Sequence, residues 1–199
     1  MLAKPALPAM VIGAAVAIFA VAPRALAQDS VSVLGNTPAA DCAQAAAIAT
    51  AKGTASRSDL LICNQAIAWA LREPPSSRAA AVLNRGVLHL ARAEFDAAVA
   101  DFNAALKIQG DLSEAVNDRG LAHMARRHLT DAVADFSTAL DLKPAQPAKI
   151  YFNRAMAKED LGDVKGAYFD YRKAAELDPA WETPKDQLKR FTVTHAGMS

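Results

Sequence analysis

A short motif recurs three times along the chain at a nearly fixed interval. It reads Ala-x-x-Asp-aromatic-x-x-Ala and begins at Ala98, at Ala132 and at Ala167. The interval is 34 residues and then 35 (98 to 132, then 132 to 167). A period in this range is typical of a solenoid, in which each unit buries its apolar face only against its neighbours. The chain is therefore expected to be an array of stacked units.

Each unit is predicted to be a pair of antiparallel helices. Helical spacing appears twice in every unit, a short polar turn separates the two stretches, and Gly110, Pro144 and Pro179 follow the second one. Frequent alanine and only 6 % aromatic residues favour helices that pack closely. The predicted units are 79–112, 113–146 and 148–181, with helices over 80–91 and 95–108, 114–126 and 130–142, and 149–161 and 164–177.

The regions beside the units are also predicted to be helical. Thr37 and Pro38 are typical of a helix N-terminus, and Pro74 and Pro75 are expected to end a second helix. The predicted helices span 38–52 and 59–72, in a degenerate leading pair over 38–75, and a capping helix is predicted over 183–194. The fold class is therefore all-α: an α-solenoid of three clear units, a leading pair and a cap.

The first 27 residues have the pattern of a secretory signal peptide. Lys4 precedes an unbroken apolar stretch, 9–22, and Ala25-Leu26-Ala27 forms a small-x-small cleavage pattern. These 14 apolar residues are fewer than the about 20 of a membrane-spanning helix, which disfavours the alternative of an uncleaved anchor. We expect export to the periplasm, cleavage after Ala27, a flexible leader over 28–37 and no stable membrane insertion afterwards.

Charge and cysteine content narrow the class of protein further. The formal net charge is +1, so nothing indicates a nucleic-acid partner. Two cysteines in an exported chain predict a disulfide between Cys42 and Cys63. The predicted helices conflict with this pairing, because a symmetric hairpin places Cys63 opposite Ile48, about 9 Å along the axis from Cys42. The disulfide is therefore predicted from the compartment alone.

Small and aromatic residues recur at matching positions of the three units, where position 1 is residue 79, 113 or 148. Position 8 holds Gly86, Gly120 and Ala155; position 20 holds Ala98, Ala132 and Ala167; position 24 holds Phe102, Phe136 and Tyr171; position 27 holds Ala105, Ala139 and Ala174; and position 32 holds Pro144 and Pro179. In this pattern the units resemble tetratricopeptide repeats. The resemblance implies helix-turn-helix units whose concave face holds a peptide or helix. With the export signal and the leading cysteines, the chain resembles small periplasmic repeat proteins of Gram-negative bacteria.

Every unit also has an arginine at position 7 and an aspartate sixteen residues later. The two positions should meet in an antiparallel helix pair, so we predict one partly buried structural ion pair in each unit. The alternative is a row of arginines that binds an anionic ligand. The predicted pairs are Arg85 with Asp101, Arg119 with Asp135, and Arg154 with Asp170.

The concave face of the first helices is the predicted binding surface, because a large apolar stripe usually marks a contact site. The predicted groove consists of Leu83, Asn84, Val87, Leu90, Asn117, Leu121, Met124, Phe152, Asn153 and Met156. Asn84 and Asn153 are expected to bond a ligand's backbone. The basic residues with which family members hold a carboxylate tail are not at the matching positions, so an acidic C-terminus is not expected. The alternative is that the stripe is covered internally.

No pattern for chemistry is found. His89 and His123 share a unit position, while His128 and His195 do not, and their spacing fits no zinc motif. Nucleophile and phosphate-binding motifs are also missing from the sequence. We expect no enzyme, no cofactor and no metal site, but a protein-protein interaction module or scaffold of the cell envelope. The alternatives are a structural subunit that self-associates through the same surface, for example as a homodimer, and a small-molecule or metal binder that uses the histidines.

Overall fold

Consecutive α-helices make up almost all of the part of the chain that the structure, a computed structural model, describes: residues 2–3 and 37–193. The helices are α1 Pro38–Lys52, α2 Arg57–Trp69, α3 Pro75–Ala91, α4 Phe95–Ile108, α5 Ser113–Ala125, α6 Leu129–Asp141, α7 Pro147–Asp160, α8 Val164–Leu177 and α9 Glu182–Leu188. A 3-10 helix, Ala70–Arg72, follows α2, and β1 (Leu2–Ala3) pairs antiparallel with β2 (Thr192–Val193). The predicted all-α solenoid is confirmed.

Neighbouring helices pack in pairs, and each pair packs on the next. α3 packs with α4, α5 with α6 and α7 with α8, while α4 contacts α5 and α6 contacts α7. The aromatic side chains at position 24 (Phe102, Phe136 and Tyr171) are fully buried. The small residue at position 8 makes this contact close: a Cβ added to Gly120 would lie 2.8 Å from Cε1 of Phe136. The sequence motif therefore recurs because every unit contains this contact between its two helices.

The turn inside each unit has the same backbone conformation. Its position 15 is left-handed in all three units, with φ of 58° at Ala93, 63° at Arg127 and 84° at Gly162. Only the third unit uses glycine, the residue that takes this conformation without steric cost. In the second unit, the N–H of His128 donates to the carbonyl of His123 at 2.9 Å, which closes the turn.

Several helix boundaries differ from the predicted ones, and three of these differences have a clear physical cause. α2 begins at Arg57 and not at 59, because Ser56 accepts a hydrogen bond from the N–H of Asp59 and the Asp59 side chain accepts one from the N–H of Ser56. Pro75 does not end a helix but occupies the first turn of α3, where its missing N–H is not needed.

The third difference is at the cap. α9 ends at Leu188 and not at 194, and the β-branched residues Thr192 and Val193 form β2 instead. The predicted signal peptide, 1–27, and leader, 28–37, lie outside the described residues apart from 2–3 and Thr37. Thr37 accepts a hydrogen bond from the N–H of Ala40 and caps α1. Within 2–3 and 37–193, no helix is both long and apolar enough to cross a bilayer.

A disulfide joins Cys42 of α1 to Cys63 of α2, with their Cα atoms 4.7 Å apart. The predicted offset does not arise, because the chain reverses at Gly53 (φ 68°), at the very end of α1, and not in the middle of the connection. Both cysteines are fully buried. Sγ of Cys42 lies 3.8 Å from the carbonyl oxygen of Ala81. The disulfide therefore lies where the leading pair meets α3.

Candidate functional site

Four amide and carboxyl side chains are buried along the first helices of the units, and we call them the polar seam: Asn84 of α3, Asn117 and Asp118 of α5, and Asn153 of α7. Nδ2 of Asn153 donates to Oδ1 of Asn117 at 3.3 Å. Nδ2 of Asn117 donates to Oδ1 of Asp118 at 3.0 Å. Oδ1 of Asn84 is buried and has no hydrogen-bond partner in the described part of the chain. The seam therefore links adjacent units but leaves one amide oxygen unsatisfied.

Asp118 is the one carboxyl group of the seam. Its burial raises the pKa to about 7, the nearby negative charge of Glu114 adds to the rise, and the hydrogen bond from Asn117 acts in the opposite direction. At neutral pH a large share of the Asp118 side chains is therefore protonated. The group can then donate as well as accept a hydrogen bond.

The predicted groove is closed over most of its length. Nine of its ten residues are buried, and Met156 is partly exposed. At one end, Val87 and Leu90 share a small cavity with Ala49 of α1. At the other end, the ring of Phe152 lies 4.8 Å from that of Trp181. α5, between them, has no exposed side chain. At both ends of the apolar stripe, other parts of the same chain therefore cover the groove, which is the alternative given in the sequence analysis.

The three arginine–aspartate pairs are present. In each, Nε and Nη2 of the arginine donate to the two carboxylate oxygens at 2.6–2.9 Å. The remaining Nη1 donates to the second helix of the preceding unit, to Asn64, Asn103 and Ser137 respectively, at 2.8, 2.6 and 3.1 Å. Each arginine therefore joins two units. Because both edges of every guanidinium are engaged, the arginines are poor candidates for holding an anionic ligand.

A third side chain approaches each aspartate from position 11. Nε2 of His89 lies 3.8 Å from Oδ2 of Asp101, and Nε2 of His123 lies 3.8 Å from Oδ2 of Asp135. Lys158 replaces the histidine in the third unit, with Nζ 2.8 Å from Oδ2 of Asp170. The pairs are thus small polar clusters, and the histidines at position 11 lie beside the arginine–aspartate pairs, as their shared unit position predicts.

Comparison with known proteins agrees with this architecture. Residues 148–181 match the family model of the tetratricopeptide repeat. The third unit is therefore a tetratricopeptide repeat, and the other two units have the same helix-pair architecture. No curated protein sequence matches it.

Solved structures similar to this chain include tetratricopeptide repeat domains. The Arabidopsis OM64 TPR domain aligns with a TM-score of 0.56 and 24 % identity over 58 % of this chain and 95 % of its own. The first TPR of Spaghetti (RPAP3), bound to the HSP90 peptide SRMEEVD, gives 0.55 and 20 % over 58 % and 90 %. The MamA RS-1 ArsTM double mutant gives 0.60 and 17 % over 78 % and 83 %. At these identities the likeness shows the fold alone.

The exposed apolar side chains of the repeat protein lie outside the predicted groove. Leu61, Trp69 and Leu71, at the end of the leading pair, are more than half exposed, and Phe169 and Leu177 of α8 are exposed at the opposite end. The sequence analysis missed them, because their spacing does not differ from that of core residues. They offer apolar contact surface at both ends of the array.

Proposed function

We propose that the chain is a non-enzymatic protein-binding module of the cell envelope that holds an extended peptide against the polar seam. Tetratricopeptide repeat domains are protein-interaction modules, which supports the class. The observation that carries the proposal is the seam itself. Burying a carboxyl group and an unsatisfied amide costs stability, and apolar residues of similar size would pack without that cost. A peptide backbone supplies N–H and C=O groups that satisfy such side chains.

The chemistry of the seam sets the charge of the peptide. Asp118 and Glu114 are acidic, and no lysine or arginine belongs to the seam. A neutral or basic peptide therefore suits this face better than an acidic one such as SRMEEVD, which a structural neighbour holds. This agrees with the missing basic residues at the positions that would hold a carboxylate tail.

Access is a requirement of the proposal. Because α5 has no exposed side chain, a peptide reaches the seam only when the concave face of the first helices opens.

The proposal also includes export and cleavage after Ala27, and the pairing of Leu2–Ala3 with Thr192–Val193 is then a feature of the precursor alone. Fractionation of the producing cells with N-terminal sequencing tests this step: a periplasmic chain that begins at Gln28 supports it, and a cytoplasmic chain that keeps residue 1 contradicts it.

The binding test is selection of peptides from a random display library on the form that begins at Gln28, followed by calorimetric affinities. Asn84→Ala is the best variant, since Oδ1 of Asn84 has no hydrogen-bond partner in the described part of the chain and its removal breaks no bond to that oxygen. We expect at least tenfold weaker binding of the selected peptides, a loss of about 1.4 kcal/mol. We also expect no binding of SRMEEVD.

Asn64→Ala is the matched control, because this exposed amide lies on α2 outside the seam and its side chain accepts a hydrogen bond from Arg85. It should leave the affinity unchanged. Equal affinities for wild type, Asn84→Ala and Asn153→Ala would contradict binding at the seam.

Self-association is the second candidate, and the exposed apolar residues at the two ends of the array favour it. Light scattering separates the two functions: Trp69→Glu should dissociate an end-to-end oligomer, whereas a monomer at all concentrations removes this candidate.

A further inference from the structure

The second unit differs from the other two at a pair of positions that lie beside His123. Position 16 is Glu94 in the first unit and Asp163 in the third, but His128 in the second. Position 19 is Ala97, Asp131 and Gly166 in the three units. His123, His128 and Asp131 each offer one ligand atom, and these atoms lie within 4.8 Å of one another. Only the second unit therefore brings two imidazoles and a carboxylate together at its turn.

In the first unit, a glutamate at position 16 fills the space beside the histidine at position 11. There, Nδ1 of His89 bonds Oε2 of Glu94 at 2.7 Å, while Nε2 faces Asp101 at 3.8 Å. His123 has the same orientation, since its Nε2 lies 3.8 Å from Oδ2 of Asp135. Its Nδ1 is the nitrogen that would face position 16.

Nδ1 of His123 is buried and has no hydrogen-bond partner in the described part of the chain. Buried side-chain nitrogens are nearly always bonded, so an unpartnered one needs an explanation. The carboxylate that would accept a bond from it in the first unit is replaced by the ring of His128, whose centroid lies 6.1 Å away at 22° to the plane of His123. A cation bound in the ring plane by Nδ1 of His123 would give this nitrogen a partner, and the exposed His128 can turn so that one of its nitrogens points at the same ion.

We propose that His123, His128 and Asp131 bind one divalent transition-metal ion of the zinc class. Two imidazoles and one carboxylate are a ligand set that Zn²⁺ takes in proteins, with a water molecule in the fourth position. The 4.8 Å separation exceeds that of bound ligands, but His128 and Asp131 are exposed and can turn inward. This inference is independent of the proposed peptide binding.

The surroundings of the three ligands fit the proposal. Asp135 faces Nε2 of His123 and can accept its proton in a hydrogen bond, the arrangement that usually orients a metal-bound histidine. The backbone bond between His128 and His123 keeps the first two ligands together.

The sequence analysis expected no metal site, because it looked for histidines four residues apart on one helix or for spaced zinc motifs. This site instead crosses the turn between α5 and α6, with one ligand at the end of a helix and two at the start of the next. The left-handed Arg127 brings the two helices together there. Such a site is visible only once the turn is known.

Calorimetric titration of the untagged, EDTA-treated and desalted protein with ZnCl₂ tests the proposal. We expect uptake of about one ion per chain with micromolar affinity and a rise in Tm, because a ligand that binds only the folded state stabilises it. Mg²⁺, which prefers oxygen ligands, should give no uptake under the same conditions.

His128→Ala and Asp131→Ala should each weaken Zn²⁺ binding more than tenfold. Both residues are exposed, and Asp131→Ala restores the alanine of the first unit, so neither substitution threatens the fold. His89→Ala removes the equivalent histidine of the first unit, which is not one of the three proposed ligands, and should bind as wild type. Side-chain NMR should show the rings of His123 and His128 shifting with Zn²⁺ while His89 stays unchanged. No saturable uptake, or wild-type affinity in both variants, would overturn the proposal.

Discussion

Arg119 donates two hydrogen bonds to Asp135, from Nε to Oδ2 at 2.9 Å and from Nη2 to Oδ1 at 2.6 Å. The arginine side chain is 24 % exposed and the aspartate 11 %, so the pair is shielded from most of the solvent. Nη1 of Arg119 also reaches Asn103 of the preceding unit. Because the same arrangement recurs in every unit, it serves both the packing within a unit and the stacking between units.

Removal of one partner of this pair should therefore be costly. We expect Asp135→Ala to lower the free energy of unfolding by about 3 kcal/mol, since it leaves the Arg119 charge without its partner. In a double-mutant cycle with Arg119→Ala, the coupling energy should be about 1–2 kcal/mol. Urea unfolding of the four proteins, followed by circular dichroism, provides the measurement.

Lys173 and Glu176 provide the control cycle, because their side chains are about half exposed and 3.4 Å apart. Exposed pairs of this kind couple by about 0.5 kcal/mol or less. If the effects of Arg119→Ala and Asp135→Ala are additive, the structural role of the pair is refuted.

Gly120→Ala should destabilise the second unit. The added Cβ would meet Cε1 of Phe136 at 2.8 Å and Cβ of Asp135 at 3.2 Å. Overpacking of this kind costs about 1–3 kcal/mol, and the better helix propensity of alanine offsets up to about 1 kcal/mol. The third unit accommodates Ala155 above Tyr171 at the same positions, so we expect a net loss of about 1 kcal/mol in urea unfolding.

Gly110→Ala is the matched control, because the nearest atom to its Cβ, the carbonyl oxygen of Leu106, is 3.8 Å away. It should leave the urea midpoint unchanged or raise it slightly. Equal midpoints for the two variants would show that position 8 does not require a small side chain.

Position 8 and position 24 illustrate what the sequence predicts well. A glycine or alanine that recurs with an aromatic residue sixteen positions later indicates a close helix contact, and Gly120 and Phe136 form it. Arg119 and Asp135 were predictable for the same reason, since an antiparallel pair of fixed length brings them together. Both are contacts within one unit, and the repeat gives the same evidence three times.

Contacts that depend on the stacking of units or on turn geometry were not predictable. The bond from Arg119 to Asn103 joins two units whose relative rotation no single unit encodes. Asn117 and Asn153 were placed on a concave face, yet they are buried. The approach of His123 to His128 depends on the left-handed backbone of Arg127, a conformation for which arginine gives no signal.

Reduction of the disulfide should destabilise the leading pair. Cys42 and Cys63 are 21 residues apart, and releasing a loop of this size lowers the free energy of unfolding by about 3 kcal/mol in the chain-entropy model. We expect a lower urea midpoint with reductant than without. The double variant Cys42→Ser, Cys63→Ser should not respond to reductant. An unchanged wild-type midpoint would show that α1 and α2 unfold independently of the bond.

Asp118 should make stability decrease as the pH rises from about 4 to about 7. Its pKa is about 7 in the folded state against a reference value of 3.8, so within this window the folded chain holds a proton that the unfolded chain has released. Stability then falls with pH, by about 4 kcal/mol at most when the whole window is crossed. Asp118→Asn removes this titration and keeps the size of the side chain.

Other groups also change the stability with pH, so the test is the difference in stability between wild type and Asp118→Asn. Hydrogen bonds from Arg92 and His89 lower the pKa of Glu94 to about 2, and its contribution is lost only as the pH falls toward that value. Burial lowers the pKa of His123, which makes stability rise with pH in the mildly acidic range. Both effects cancel between wild type and Asp118→Asn. The variant should gain stability relative to wild type between pH 5 and pH 8 in urea unfolding; parallel curves would show that Asp118 is ionised in the folded chain throughout this range.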